Sequence, residues 1–183
     1  MEKKSKAKWD TYTLIFLGFL AAMNIVLTRI AVIELGFARI TLGAVATILA
    51  GLWFGPVGGG AVGLVSDILG CFMRGYAVNP LITFSAILWG VIPGLAVAKI
   101  SGGKKKMTAV ICVSIVVTSV LATLVSTTAG LVLINGYNFY SIMPGRLAQW
   151  AALTPVYCIV TCILYFSPLT HLVYSSTRKK AAA

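Results

Sequence analysis

Residues 81–134, LITFSAILWGVIPGLAVAKISGGKKKMTAVICVSIVVTSVLATLVSTTAGLVLI, decide the fold. Two apolar runs, Leu81 to Ala98 and Met107 to Ile134, flank a short break that carries Lys99, Lys104, Lys105 and Lys106. Crossing a hydrocarbon core of about 30 Å takes about 20 apolar residues of helix. In lipid every backbone N–H and C=O must also find a partner inside the segment, which an isolated apolar run can do only as a helix. The stretch therefore reads as two membrane-spanning helices joined by a basic loop.

Outward from this pair the pattern repeats. Toward the N-terminus lie runs from Tyr12 to Ile30, from Phe37 to Phe54, and from Gly55-Pro56 to about Arg74. Toward the C-terminus a last run starts behind Pro144 and continues to about Phe166, where Ser167-Pro168 ends or kinks it. The expected fold is all-α, a polytopic membrane protein of six transmembrane helices. Its expected parts are a basic N-terminus (1–11), the six-helix domain (12–174) and a basic tail (175–183). The 183 residues are 59% hydrophobic and 10% charged, and the mean hydropathy is +0.96. A water-soluble domain of that composition would expose large apolar surfaces, so the solvent is lipid.

The net charge of +11 raises nucleic acid as a partner, but that reading needs a basic face on a folded domain. Here the lysines lie between or beyond the apolar runs: Lys3, Lys4, Lys6 and Lys8 before the first, the Lys99–Lys106 group after the fourth, and Arg178, Lys179 and Lys180 after the sixth. With an even number of spans these groups share one side, which the positive-inside rule makes cytoplasmic, together with both termini. The expected location is the plasma membrane of a prokaryote. The basic start imitates a signal peptide, yet its run of about 20 residues exceeds the usual apolar core of one. Cys71, Cys112, Cys158 and Cys162 show no CxxC spacing and read as small core residues.

The remaining charges are few. Arg29, Arg39, Arg74 and Arg146 fall at the opposite ends of the spans from the lysines. Arginine grips a carboxylate through two parallel hydrogen bonds, whereas lysine is a point charge, so four arginines at one end suggest a pocket for an acidic ligand. Snorkelling to lipid head groups is the alternative for each of them. Arg146, in Met143-Pro144-Gly145-Arg146, is expected at a helix N-terminus, where the dipole also favours an anion. Asp67 lies deep in the third span, where an acid is costly enough to require a partner or a polar cavity. The expected partner is Arg39 or Arg146; a hydrogen-bonding role toward an amino-substituted heterocycle competes with that. Tyr76, Asn79, Phe84, Trp89 and Trp150 crowd the same end. They fit either an interfacial aromatic belt or the wall of a concave site for a flat ring. Gly18 and Ala22 form a small-xxx-small pair on the first span, suited to internal packing or to a partner helix.

Several chemistries are excluded. Gly102-Gly103-Lys104 lacks the earlier glycine and the following hydroxyl of a P-loop, so no ATP hydrolysis by that route is expected. The single histidine, His171, has no HExxH or Cys–His metal spacing around it. No cofactor, metal or enzyme activity is expected.

The stretch Ala22 to Arg29 (AMNIVLTR), then Gly51 to Gly59 (GLWFGPVGG) running into Ser66-Asp67-Ile68-Leu69-Gly70, resembles the substrate-binding S components of energy-coupling factor (ECF) vitamin transporters. Thr83 to Leu95 (TFSAILWGVIPGL) and Met143-Pro144-Gly145-Arg146 look most like the folate-specific member. The resemblance spans residues from about 12 to 170. It implies a six-helix protein that takes its vitamin at the extracellular face, under the loop from about Ile30 to Gly36. It also implies assembly with a transmembrane coupling subunit and two cytoplasmic ATPases, whose hydrolysis drives toppling and release inside. Gly18 and Ala22 would match an Ala-xxx-Ala contact surface of the family, with glycine departing from it. Asn79-Pro80 departs from the usual Pro-Gly before the fourth helix. Folate, with a pterin, a benzoate and a glutamate, suits arginines and aromatics together. The alternatives are another acidic vitamin such as pantothenate, and a non-transporting membrane scaffold.

Overall fold

The structure, a computed structural model, describes residues 10–34, 39–75, 77–100, 103–170 and 172–173. The chain runs through α1 (Thr11–Ile30), a two-residue antiparallel pairing of β1 (Ile33–Glu34) with β2 (Arg39–Ile40), then α2 (43–54), α3 (55–74), α4 (Pro80–Lys99), α5 (Lys104–Leu133) and α6 (Phe139–Phe166). The basic termini, His171, Gly36, Phe37 and Tyr76 lie outside the described residues.

Helix α2 and helix α3 form one continuous helical segment, Gly43–Arg74, broken at Gly55. There φ is +82° and ψ is 179°, a region that only glycine occupies without strain. Pro56 follows, pre-set for the first turn of α3. Among the described residues five helical segments are long and apolar enough to cross a membrane, and the break divides the longest of them, giving the six helices α1 to α6. The second helix begins later than the apolar run suggests. Arg39 and Ile40, expected in its first turn, instead pair with Glu34 and Ile33 as a short antiparallel strand.

Helices α2, α3 and α4 meet at almost zero side-chain thickness. A Cβ placed on Gly59 would lie 2.6 Å from the Cα of Gly51 and 2.7 Å from the carbonyl oxygen of Gly90, and one on Gly94 would lie 2.8 Å from the nitrogen of Pro56. In lipid, apolar burial supplies no force between helices, so close backbone approach and dispersion must hold them. The glycine cluster of the sequence is that contact.

A buried cluster including Ile48, Trp89, Ile111, Ile115, Leu153 and Tyr157 joins α2, α4, α5 and α6. Outward-facing apolar side chains stay exposed, among them Phe19, Phe72, Val113 and Ile163, the pattern of a protein whose solvent is hydrocarbon. Polar bonds fasten the ends. The Asn79 side chain accepts from the amide of Leu81, capping α4, and donates to the carbonyl of Gly130 (2.9 Å) and to Asn135 Oδ1 (2.8 Å) at the end of α5. Trp53 Nε1 donates to Thr170 Oγ1 (3.1 Å), pinning the segment after α6 to the far end of α2.

Candidate functional site

A cavity of about 210 Å³ lies among all six helices. Its wall carries two guanidiniums, Arg29 and Arg146, and one carboxylate, Asp67, with Asn24, Gln149 and a set of hydroxyls around them.

Two stretches of wider, π-helical turn shape the wall. Val26–Ile30 closes α1 and carries Thr28 and Arg29 to the cavity; Val120–Thr127 interrupts α5 and carries Thr123 and Thr127. In the second, threonine hydroxyls reach carbonyls five residues back: Thr127 Oγ1 to Ala122 (2.8 Å) and Thr128 Oγ1 to Thr123 (3.1 Å). Such insertions are frequent at functional sites because they re-aim side chains without ending a helix.

Arg29 lies across α3. Its Nη2 stands 3.6 Å from Asp67 Oδ1, with the two side chains 12% and 9% exposed. The guanidinium passes directly over Gly70, where a Cβ would come within 2.5 Å of Nε. Asp67 Oδ2 accepts a hydrogen bond from Thr83 Oγ1 of α4 (2.7 Å). The buried acid is thus compensated from two helices, as its depth demands. Among the described side chains its partner is Arg29 and not the expected Arg146, because the turns of α1 and α3 that face each other across Gly70 bring Arg29 and Asp67 together. Arg29 Nε is itself buried with no hydrogen-bond partner.

Arg146 reaches the cavity from α6. The helix begins at Phe139, capped by the Asn138 side chain, which accepts from the amide of Tyr140 (3.0 Å). Arg146 is therefore about two turns inside α6, and the expected place at the helix N-terminus is corrected. Pro144 does not start the helix but is accommodated within α6, near the exposed end, at the cost of one backbone bond. Among the described residues no carboxylate pairs with Arg146.

Trp89 and Tyr157 form an edge-to-face pair at the apolar side of the cavity, with centroids 5.3 Å apart and planes at 78°. Tyr157 OH donates to the carbonyl of Thr41 (2.8 Å), so its ring is held from above. Asn24 Nδ2 donates to the carbonyl of Gly43 (3.0 Å) and to Thr47 Oγ1 (2.6 Å), joining α1 to the start of α2.

The structure brings together only part of the expected set. Arg29, Asp67, Trp89 and Arg146 line the cavity. Arg74 is exposed, and its guanidinium donates to the carbonyl of Arg29, tying α3 to α1 beside the cavity. Arg39 pairs with Glu34 through its backbone; its side chain lies outside what is described. Asn79 spends its amide on the cap and loop bonds given above. Phe84 is 53% exposed, because the cavity stripe of α4 runs through Ile82, Ser85, Ala86 and Trp89 and position 84 falls on the other side of that helix. Trp150 turns its Nε1 to Ser119 Oγ (2.9 Å), between α5 and α6. Gly18 and Ala22 are both exposed on α1, and nothing lies within 4 Å of a Cβ placed on Gly18. Asn24, Thr28, Thr47, Thr127 and Tyr157 also line the cavity; the sequence assigns none of them a binding role, because a polar side chain within an apolar run serves helix packing equally well.

The comparisons with known proteins agree on the kind of protein and differ on its cargo. Residues 8–175 match the family model described as the S component of an ECF-type riboflavin transporter. The chain is 30% identical over 149 residues to the folate transporter FolT of Clostridium novyi (strain NT), covering 80% of this chain and 84% of that protein. In three dimensions it resembles the crystal structure of FolT bound with folic acid, with a TM-score of 0.71 and 26% identity over 85% of this chain and 93% of the other. The S component of a bacterial ECF transporter is similar in fold, with a TM-score of 0.58 at 20% identity, over 81% and 92% of the two chains.

Proposed function

The chain belongs to the S components of ECF-type transporters, and from that premise we propose that its cavity captures folate or a reduced folate. The observation that carries the choice of cargo is the charge of the wall: two guanidiniums face one carboxylate, and Arg146 has no anionic partner among the described residues. A desolvated cation without a counter-ion is costly, and a ligand carboxylate would supply the missing charge through a bidentate bond. Folate carries two carboxylates on its glutamate, and its flat pterin and benzoate suit the Trp89–Tyr157 side. Arg146 and Arg29 would hold the glutamate. Asp67 would hold Arg29 in place, leaving the polar groups of α1 and α2, Asn24 and Thr47, closer to the ring edge.

The placement in the cell follows the same reading. The arginine-bearing end faces outward and the lysine-bearing end faces the cytoplasm of a prokaryotic cell. The chain itself does not act on ATP; a transmembrane coupling subunit and two ATPases would drive release inside, with the exposed Gly18 and Ala22 face of α1 offered to the coupling subunit. A second reading has riboflavin as cargo, because the matching family model carries that description. Riboflavin is neutral and has no carboxylate, so it would leave Arg146 uncompensated.

Titration of the detergent-purified protein separates them. Folate is expected to bind saturably, riboflavin and pantothenate to fail as competitors, and Arg146→Ala to weaken folate by about 2–3 kcal/mol, on the order of 30- to 150-fold. Folate binding that is unchanged in Arg146→Ala, or tight binding of riboflavin, overturns the assignment.

A further inference from the structure

On the opposite end of the molecule from the cavity, α4 and α5 leave an open groove of about 440 Å³. Ile92 and Ala96 line it from α4 and Ile100 from the residue that caps that helix, and Val110, Val113 and Val117 line it from α5 at one-turn spacing. The single hydroxyl on its wall, Ser114, is turned to the carbonyl of Ile111 (2.8 Å). The walls are therefore wholly apolar, and at one end stands Lys106. Lys99, Lys104 and Lys105 are exposed beside it, and the first turn of α5 holds no acidic residue to offset them.

The dimensions select the occupant. From Lys106 to Val117 the wall rises roughly 16 Å along the helix, close to half of a hydrocarbon core of about 30 Å. A groove that begins at a basic rim and ends at mid-membrane matches one acyl chain of one leaflet with its head group at the lysines. Four exposed lysines with no carboxylate among them favour an anionic head group over a zwitterionic one, since basic residues at the membrane surface attract acidic lipid. We propose that this groove is a binding site for an anionic glycerophospholipid, with the phosphate at Lys104–Lys106 and one acyl chain laid between α4 and α5. The site is independent of the vitamin cavity and of what that cavity takes.

The test is native mass spectrometry of the whole protein in detergent, offered phosphatidylglycerol or phosphatidylcholine with identical acyl chains. The expected result is a phosphatidylglycerol adduct in preference to phosphatidylcholine. In the K104Q/K105Q/K106Q variant that preference falls on the order of fivefold for each lysine removed. Val113→Trp, which fills the groove, removes both adducts. Excess glycerol phosphate does not displace the lipid, because a head group without its chain gains nothing from the groove. Equal adducts of the two lipids, a triple variant that keeps the preference, displacement by glycerol phosphate, or a lipid-free dimer joined through this face each overturns the proposal. The lysines are exposed surface residues, so the triple variant carries the test if Val113→Trp does not fold; its helicity and melting in phosphatidylcholine confirm that it is intact.

Discussion

Arg29 and Asp67 show how far a single residue's role can be read from its type. A buried acid in an apolar span announces a partner, and the sequence supplies four arginines at the right end of the spans. Which of them it meets depends on Gly70, where the missing side chain lets the guanidinium lie flat across α3. Gly70 lies one turn from Asp67, but nothing in the sequence says which arginine crosses it. We expect Gly70→Ala to push Arg29 off Asp67, since the new methyl would come within 2.5 Å of Nε. Folate affinity should then fall on the order of tenfold, the loss of one charge-assisted hydrogen bond, and the melting temperature should fall as well, because Asp67 loses its charged partner in a buried place. Isothermal titration beside a thermal melt reads both; an unchanged affinity would show that Arg29 need not be fixed by Asp67.

At the scale of the element, the apolar runs were legible because the membrane imposes one length on all of them. Their ends were legible where a cap or a proline marks them, as at Asn79-Pro80 and Ser167-Pro168. They were not legible at the start of α2, where Arg39 and Ile40 adjoin the apolar run but pair as strand. Nor could the start of α6 be placed from Pro144, because the Asn138 cap does that work six residues earlier in a less apolar stretch. The π-helical turns left no signal at all: an inserted residue in a uniformly apolar run does not disturb its periodicity. Gly55 was read as a break, and its backbone explains why. Replacing it by alanine would force a side chain into φ +82°, costing about 1–3 kcal/mol. A lowered thermal midpoint of the purified Gly55→Ala protein is the expected outcome; an unchanged midpoint would mean that α2 and α3 can join in another way.

Across the whole molecule, polar and apolar tasks are separated by end and by face. Glycines bring α2, α3 and α4 into backbone contact on one side, while the cavity opens where α1, α5 and α6 depart from regular α-geometry or carry arginine. Composition and charge placement were enough to read the membrane class and the Lys-to-Arg polarity of the ends. The membership of the cavity was not, because helix rotation decides which face each residue takes, and a rotation of about 100° per residue separates Phe84 from Trp89, while Trp150, one turn from Arg146, is drawn aside by its bond to Ser119.

The most direct measurement is to expose the purified protein to an equimolar mixture of folate, riboflavin and pantothenate, remove what is unbound, unfold the protein and identify the released molecule by mass. Folate, in an amount equal to the protein, is the predicted result. Riboflavin in its place, or no retained vitamin, would contradict the claim that paired guanidiniums at one cavity capture an acidic cargo.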